Sequence, residues 1–369
     1  MTVWIFILIA VLTVFALGVI YMTAAIGRFG GIQRLSGDKR WLRRLISFGI
    51  LAVILTIVCF IFNVVNTVII FIHVLAFFLI AGGVIRLIKR AGKEFKINWQ
   101  GWGAILVSIV YLSVGYYLCN NVWQTDYAFT TDKNIGSLKM AVLSDSHIGA
   151  TFDGDGFAAH LLTIMQQNPD ILLIPGDFVD DDTSREDMIR SCKALGEIHP
   201  KYGVWYSYGN HDKGYYDSSL RGYSGEDLEN ELKKNGVHVM LDDVEIFDNI
   251  CIVGRKDSST MRDRKDLSEL LKGVDESNYI IVMDHEPNDY EKESQTPADL
   301  VLCGHTHGGQ FFPVTYFGVW FGINDAVYGH EQRNGTDFIV TSGISDWALK
   351  FKTGTKSEYL IINISETSK

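Results

Sequence analysis

Long apolar segments in the first third of the chain constrain its fold more than any other feature of the sequence. Residues 3–26 form a nearly uninterrupted apolar run, long enough to cross the roughly 30 Å hydrocarbon core of a bilayer as one helix. Residues 45–87 are too long for a single crossing and contain Asn63 and Asn66 as a polar break near the middle. A cleaved signal peptide is disfavoured, because no basic residue precedes the first run and further runs follow it. The sequence predicts membrane helices at residues 3–26, 45–64, 67–87 and 101–119.

The basic residues between these runs predict how the helices are oriented. Lys and Arg fill two of the connecting loops, at Arg28, Arg34, Lys39, Arg40, Arg43 and Arg44 and at Arg86, Lys89, Arg90, Lys93 and Lys96. The positive-inside rule places both loops in the cytoplasm, so we expect the chain after Asn120 to lie on the extracytoplasmic side of the cell membrane. His73, alone in the third predicted span, is either a functional intramembrane group or a histidine that packs between helices.

The rest of the chain has the mixed composition of a globular α/β domain, and its charge disfavours one class of partner. The formal net charge is −10, and no basic tract follows residue 120. Binding to nucleic acid requires clustered Lys and Arg, so we expect no nucleic-acid partner. Five Cys residues without CxxC spacing indicate free thiols rather than a disulfide framework. The sequence leaves the oligomeric state open.

Five predicted strands in the globular part each end in a cluster of Asp, Asn or His. They lie at residues 138–143, 170–175, 203–208, 278–283 and 300–303, and they lead into Asp145 and His147, Asp177, Asn210-His211-Asp212, His285, and His305 and His307. Strands that alternate with helical stretches favour an α/β domain, in which ligand sites form where strands end. Further strands near the C-terminus favour two packed sheets over one parallel sheet. A single Asp-x-His or His-x-His pair is also typical of a polar turn, but five such strand ends together indicate a site.

These residue types predict a metal centre. Carboxylates, an amide oxygen and imidazoles, with no thiolate among them, suit divalent ions such as Mn²⁺, Fe or Zn²⁺. The candidate ligands are too many for one tetrahedral ion. Two ions, roughly 3.5–4 Å apart and sharing one carboxylate, would accommodate them and would stabilise both the attacking and the leaving oxygen of a phosphoryl displacement.

The same clusters carry a family resemblance. Five blocks resemble, in order, the metal-site motifs of the calcineurin-like metallophosphoesterases: Asp145-Ser-His147, Gly176-Asp177-Phe-Val-Asp180, Gly209-Asn-His-Asp212, His285 and Gly304-His-Thr-His307. The resemblance covers about residues 138–364. The apolar runs predict a transmembrane domain at 1–122, followed by a linker at 123–137 and an α/β domain at 138–369. For this last domain the resemblance implies the family's four-layer α-β-β-α sandwich. The sequence around His285 and at 307–310 is similar to the bacterial membrane-associated subgroup that includes UDP-2,3-diacylglucosamine pyrophosphatases.

The resemblance also implies a role for each site residue. Asp145, His147, Asp177 and His307 would hold one metal ion, and Asp177, Asn210, His285 and His305 would hold the other. We expect Mn²⁺ first, with Fe or Zn²⁺ as alternatives. His211 would stabilise the phosphate or protonate the leaving group while Asp212 orients its ring, although His211 is alternatively a structural turn residue. Asp180 would contact a metal ligand, and Asp181 and Asp182 would be solvated.

The aromatic stretch after Gln310 departs from the subgroup. It contains Phe311, Phe312, Tyr316, Phe317, Trp320 and Phe321. One hypothesis is that it faces the bilayer and receives a lipid-linked phosphate ester, and the alternative is that it packs on the membrane helices or in its own core. The sequence favours a membrane-anchored phosphoesterase for phosphodiester or pyrophosphate bonds. A tethered nucleotide phosphodiesterase, or a non-catalytic membrane sensor or scaffold, is the alternative.

Overall fold

The chain forms two compact units, Met1–Gly115 and Tyr116–Lys369. The computed structural model describes residues 2–93, 95, 97–312 and 314–367, with the backbone alone for residues 2–8 and 314. The fifth helix begins in unit 1 and ends in unit 2, so that its last turn, from Tyr116 onward, belongs to the globular unit.

Unit 1 is helical. Its helices are α1 (Thr2–Ile26), α2 (Gly30–Ser36), α3 (Arg40–Phe62), α4 (Val64–Arg90) and α5 (Trp99–Asn120). Four of them, all but α2, are long and apolar enough to cross a membrane. The break between α3 and α4 is tighter than expected, because Asn63 alone ends one helix and begins the next. It adopts a φ of 89°, and its side chain accepts a hydrogen bond from the Asn66 backbone N–H.

The helices of unit 1 pack through a small apolar core that includes Met22, Phe71, Leu75 and Phe78. His73 lies beside this core in α4. Its Nδ1 lies 2.8 Å from the carbonyl oxygen of Ile69, and its ring stacks on Tyr111 with a centroid distance of 5.6 Å. These contacts fit the interpretation of His73 as a helix-packing residue.

Unit 2 contains two six-stranded sheets and seven further helices among its described residues. The strands are β1 (Val122–Thr131), β2 (Ser137–Val142), β3 (Ile171–Pro175), β4 (Val204–Ser207), β5 (His238–Met240), β6 (Asp243–Phe247), β7 (Ile250–Gly254), β8 (Tyr279–Met283), β9 (Leu300–Cys303), β10 (Gly329–Arg333), β11 (Thr336–Val340) and β12 (Ser357–Glu366). The helices are α6 (Gly154–Met165), α7 (Arg185–Gly196), α8 (Ser218–Arg221), α9 (Gly225–Lys234), α10 (Leu267–Leu270), α11 (Tyr290–Glu293) and α12 (Phe317–Trp320).

The sheets have the strand orders β1-β12-β2-β3-β4-β5 and β10-β11-β9-β8-β7-β6. Alternate side chains along each strand point to opposite faces. In β2, for example, Met140 joins the core between the two sheets, whereas Ala141 joins the core under α6, α7 and α9. A third core packs α10 and α11 on the outer face of the second sheet. Both sheets are therefore covered by helices, which confirms the predicted fold class.

The stretch 123–137, expected to be a linker, mostly forms strand β1. This strand pairs in parallel with β12 over its whole length, from Val122 beside Ser357 to Thr131 beside Glu366. The partner strand lies more than 200 residues away in the sequence, so local pattern alone does not reveal the pairing. Strand β1 therefore connects the end of α5 directly to the sheet that carries the site.

Candidate metal centre

All nine predicted site residues lie at the carboxyl ends of strands in the two sheets. β2, β3 and β4 run parallel to one another, as do β7, β8 and β9, so the carboxyl ends within each set lie at one edge. The first set delivers Asp145, His147, Asp177, Asn210, His211 and Asp212, and the second delivers His285, His305 and His307. The fold thus brings together groups that are 160 residues apart in the sequence, as the contact between Asp145 and His305 shows.

The candidate ligands form two clusters. Ligand atoms of Asp145, His147 and His307 lie within 4.8 Å of one another, as do those of Asp177, His285 and His305. Asp177 reaches both clusters, because its Oδ2 lies 3.5 Å from Nε2 of His147 and 3.1 Å from Nε2 of His285.

Asn210 joins the second cluster through its side-chain oxygen. This Oδ1 lies 3.1 Å from Nε2 of His285 and 2.8 Å from Nδ1 of His305. The two clusters and the shared carboxylate have the arrangement expected for two ions, and each of the seven residues predicted to hold metal lies in it or beside it.

Unpaired buried atoms test whether this donor set fits cations. Asp145 Oδ2 and Nε2 of His147 are buried without a hydrogen-bond partner. Burying a polar group without a partner costs free energy, so such a concentration indicates atoms reserved for a ligand. Their chemistry, carboxylate oxygen and imidazole nitrogen, suits divalent metal ions. The residues therefore fit a dinuclear centre.

Backbone strain is concentrated in the same residues. Positive φ angles occur at five of them: Asp145 (53°), His147 (35°), Asp177 (51°), His305 (71°) and His307 (48°). Residues other than Gly rarely adopt this conformation, and it persists where the surrounding structure enforces it at functional sites. The strain turns these side chains toward the clusters at the point where each strand ends.

The loops after β3 and β4 approach each other closely at Gly209. A Cβ at this position would lie 2.2 Å from Oδ1 of Asp177 and 2.3 Å from its backbone nitrogen, too close for any side chain. The side chain of Asp212 connects the two loops through hydrogen bonds to their backbone. Its carboxylate accepts hydrogen bonds from the backbone N–H groups of Asp177 (2.8 Å), Val179 (3.0 Å) and Gly209 (2.8 Å).

The expectation that Asp212 orients the ring of His211 is wrong. None of the described contacts of Asp212 reaches that ring, and Nδ1 of His211 is buried without a partner. Burial and the charge of Asp177 raise the pKa of Asp212 to about 6. Asp212 is thus a support for the backbone of the site.

His211 lies at the mouth of the clusters, between three rings. Its ring centroid is 5.0 Å from that of His147, 5.0 Å from that of Tyr215 and 5.2 Å from that of Trp347. Burial lowers the pKa of His211 to about 4. Tyr215 and Trp347 are both about half exposed, so His211 is bordered by aromatic side chains that also face solvent.

The ligand side chains are electrostatically coupled. Burial alone would raise the pKa of Asp177, but the charges of His285, His147 and His211 hold it well below its ordinary value. Burial likewise would lower the pKa of His147, but Asp180, Asp177 and Asp145 raise it to about 9. Proton and metal ion therefore compete for the same nitrogen atoms.

Three further Asp residues lie near the site, and the sequence motifs predict the positions of these residues only in part. Asp180 Oδ2 lies 3.4 Å from Nδ1 of His147, which matches the expectation that it contacts a ligand. Asp181 is not simply solvated, because its carboxylate accepts hydrogen bonds from the backbone N–H groups of Tyr215 and Tyr216. Asp346, which the sequence analysis missed, is fully buried, and its Oδ1 lies 3.4 Å from Nδ1 of His307.

The loop that contains Asp346 also contacts the last turn of α5. Cys119 Sγ lies 3.8 Å from Oδ2 of Asp346 and 3.8 Å from the carbonyl oxygen of Leu349. The Ser357 hydroxyl donates to the carbonyl oxygen of Cys119 (2.7 Å), and Gln310 Nε2 donates to Oδ1 of Asp346 (2.5 Å). A continuous set of contacts therefore joins the end of α5 to the residues beside His307.

Comparison with known proteins identifies the class. Residues 138–309 match the family model of the calcineurin-like phosphoesterases, and this match supports the calcineurin-like metallophosphoesterase superfamily for this part of the chain. The superfamily uses a dinuclear metal site, so membership implies a metal-dependent hydrolase.

Three curated relatives are similar to this chain. A transmembrane protein with metallophosphoesterase domain from Danio rerio is 28% identical over 61% of this chain and 53% of its own length. Uncharacterized metallophosphoesterases from Campylobacter jejuni and Aquifex aeolicus are 28% and 33% identical, over 70% and 48% of this chain and 69% and 66% of their own lengths. The chain thus spans about half of the Danio rerio protein. The four apolar helices, together with the name of that relative, suggest a membrane protein.

Proposed function

We propose that this protein is a membrane-anchored dinuclear-metal phosphoesterase that hydrolyses phosphodiester or pyrophosphate bonds of an amphipathic, lipid-linked substrate. Residues 1–122 would anchor the phosphoesterase domain, 138–369. The observation that carries the lipid preference is an exposed aromatic segment, Phe312 and residues 316–323, which follows the ligand loop that contains His305 and His307.

This aromatic segment is exposed where a soluble domain would bury it. Phe312 and Trp320 are each 65% exposed and Phe321 is 73% exposed, which argues against packing in the core of unit 2. Clustered exposed apolar side chains of this kind mark contact with lipid, ligand or another protein. A cavity of about 270 Å³ extends from His305 to Thr315, Gly318 and Asn324, so the segment and a candidate metal ligand share one space.

The site residues divide into those that would hold ions and those that would act on the substrate. Asp145, His147 and His307 would hold one ion, Asn210, His285 and His305 the other, and Asp177 would contact both. When bound, the ions would supply a Lewis acid for the phosphate and an acidified water as nucleophile. His211 lies beside both clusters with a free ring nitrogen, and we assign it contact with the phosphate or the leaving group.

Hydrolysis by the full-length protein in detergent micelles tests this proposal. The protein would be stripped of metal and refilled with Mn²⁺, Fe²⁺ or Zn²⁺ separately, then assayed on an aryl phosphodiester, a phospholipid diester, a lipid pyrophosphate and a nucleotide diester. Asp177→Asn should lose both bound metal and turnover, whereas His211→Asn should keep its metal and lose turnover. Bound metal without turnover on any substrate would favour the sensor or scaffold, and preference for the nucleotide would favour the tethered nucleotide phosphodiesterase.

The aromatic segment has its own test. Trp320→Ser combined with Phe321→Ser should lower kcat/KM for the phospholipid by about tenfold, because two apolar side chains no longer contact the lipid, and should leave the aryl diester unchanged. Leu162→Ser, at an exposed apolar position on α6, is the matched control. Equal activity of the double variant and the control on lipid would remove the lipid preference from the proposal.

The extracytoplasmic side remains a separate part of the proposal, supported by the basic loops alone. A C-terminal fusion to a reporter that is active only outside the cytoplasm should be active. Activity of a cytoplasmic reporter at the same position would reverse the orientation without affecting the assigned chemistry.

A further inference from the structure

The end of unit 1 that carries its basic loops contains a large cavity with no part in the proposed catalysis. Its volume is about 890 Å³, which is within the range of ligand-binding sites. It lies between the turn after α1, helix α2, the end of α4 and the beginning of α5. The lining includes Arg28, Gln33, Lys89, Asn98, Gln100 and Trp102.

The charge at this end of unit 1 is strongly positive. Residues 1–115 contain 11 Lys and Arg, all between 28–44 and 86–96, against two acidic residues, Asp38 and Glu94. Asp38 is not among the residues that line the cavity. A second cavity of about 230 Å³ is lined by Arg28 together with Arg40, Arg43 and Arg44, so that Arg28 borders both.

Neutral groups hold the Arg28 side chain in place. Its Nη1 donates to Oε1 of Gln100 at 2.9 Å, and Nε2 of Gln100 donates to the Tyr21 hydroxyl at 3.0 Å and to the carbonyl oxygen of Phe78 at 3.1 Å. Gln100 reaches these partners because Gly82 leaves room, since a Cβ there would lie 2.7 Å from its Nε2. In the part of the chain that the structure describes, no carboxylate forms an ion pair with Arg28 or Lys89. The charge of Arg28 is therefore held in place by neutral groups, and no carboxylate among the described residues neutralises it.

Apolar side chains surround the basic part of the cavity. Leu35 is 73% exposed, Ile97 53%, Trp99 54% and Trp102 55%, and all four line the cavity. Tryptophan is enriched where membrane proteins meet the headgroup region. A soluble anion needs only the basic groups, whereas a phospholipid uses both parts, its phosphate at the cations and its acyl chains along the apolar rim.

We propose that this cavity is a binding site for the headgroup of an anionic phospholipid, with Arg28 and Lys89 as the phosphate-binding residues. The site lies wholly within unit 1 and is independent of the hydrolytic function proposed above.

Native mass spectrometry of the full-length protein, titrated with phosphatidylglycerol or with phosphatidylcholine, tests the proposal. Phosphatidylglycerol should bind at a defined stoichiometry and more tightly than phosphatidylcholine. Arg28→Gln combined with Lys89→Gln should weaken its binding about 30-fold, because two cations near the headgroup are lost. Arg34→Gln combined with Arg90→Gln is the matched control, since Arg34 lies in α2 and Arg90 follows Lys89 at the end of α4, but neither lines the cavity.

The outcomes separate the possible sources of binding. Equal weakening by the lining and control variants would show that charge acts diffusely and would overturn the site. Competition by soluble glycerol phosphate as strong as by the lipid would overturn the phospholipid assignment. Unchanged far-UV circular dichroism and unchanged hydrolysis of the aryl diester would show that the variants remain folded.

Discussion

Replacing Gly209 with alanine tests how closely the loops of the site approach each other. The new Cβ would lie 2.2 Å from Oδ1 of Asp177, 2.3 Å from its backbone nitrogen and 2.8 Å from its Cγ, whereas real Cβ atoms stay beyond about 3.0 Å. One loop must therefore move by almost 1 Å. It cannot do so freely, because Asp212 holds the backbone N–H groups of both Asp177 and Gly209 at 2.8 Å.

The expected consequences follow from this displacement. Overpacking of this kind costs about 1–3 kcal/mol. For a unit of this size the loss corresponds to a melting temperature lower by roughly 2–12 °C. A misplacement of about 1 Å in a catalytic group lowers turnover on the order of 100-fold. Metal affinity should also fall, since Asp177 is the carboxylate that reaches both clusters.

Calorimetric melting, metal titration and turnover of the aryl diester measure these effects together. Gly225→Ala is the matched control, because a Cβ there would meet its nearest atom, in Lys213, at 3.3 Å. If Gly209→Ala had the same melting temperature and metal affinity as Gly225→Ala, the close approach of the two loops would be refuted.

Two further predictions concern protons and buried charge. At pH 7.5 metal binding should release about one to two protons, because carboxylates raise the pKa of His147 to about 9 and that of His285 above its ordinary value despite burial. Metal affinity should therefore fall as the pH decreases below about 9. The number of released protons can be measured by titration calorimetry in buffers of different ionisation enthalpy, and a result of zero would contradict the prediction. Arg255→Met should destabilise unit 2 by about 3 kcal/mol in denaturant unfolding, because buried Glu293 loses the guanidinium that lies 2.9 Å away, whereas Asp284 keeps its pair with Arg264. Lys256→Met, which breaks an exposed pair with Asp263, should cost less than about 1 kcal/mol, and an equal loss in both variants would refute the reasoning.

The site residues that directly follow a strand can be predicted from the sequence, because the end of an apolar run marks the edge of the sheet where they lie. His305 and His307 follow the apolar run of β9, and Asp145 and His147 follow β2 in the same way. The apolar runs likewise indicated the four long helices, since length and hydropathy are local properties.

Features that depend on tertiary contacts were not accessible. Asp346 stands in a loop without a motif, and its approach to His307 exists only because β11 lies beside β9 in the second sheet. The partners of Asp212 are backbone groups of another loop, which residue identity does not reveal. The sequence pattern does not distinguish strand β1 from a linker, because β1 is an edge strand with one neighbouring strand and a weak apolar pattern.

The last turn of α5 places the end of an apolar helix within two side-chain contacts of a candidate metal ligand. Cys119, in this turn, contacts Asp346, and Asp346 contacts His307. A helix that spans a bilayer tilts to match the thickness of the hydrocarbon layer around it. If α5 spans the membrane as proposed above, acyl-chain length would become a physical variable of the site, even for substrates that never enter the membrane.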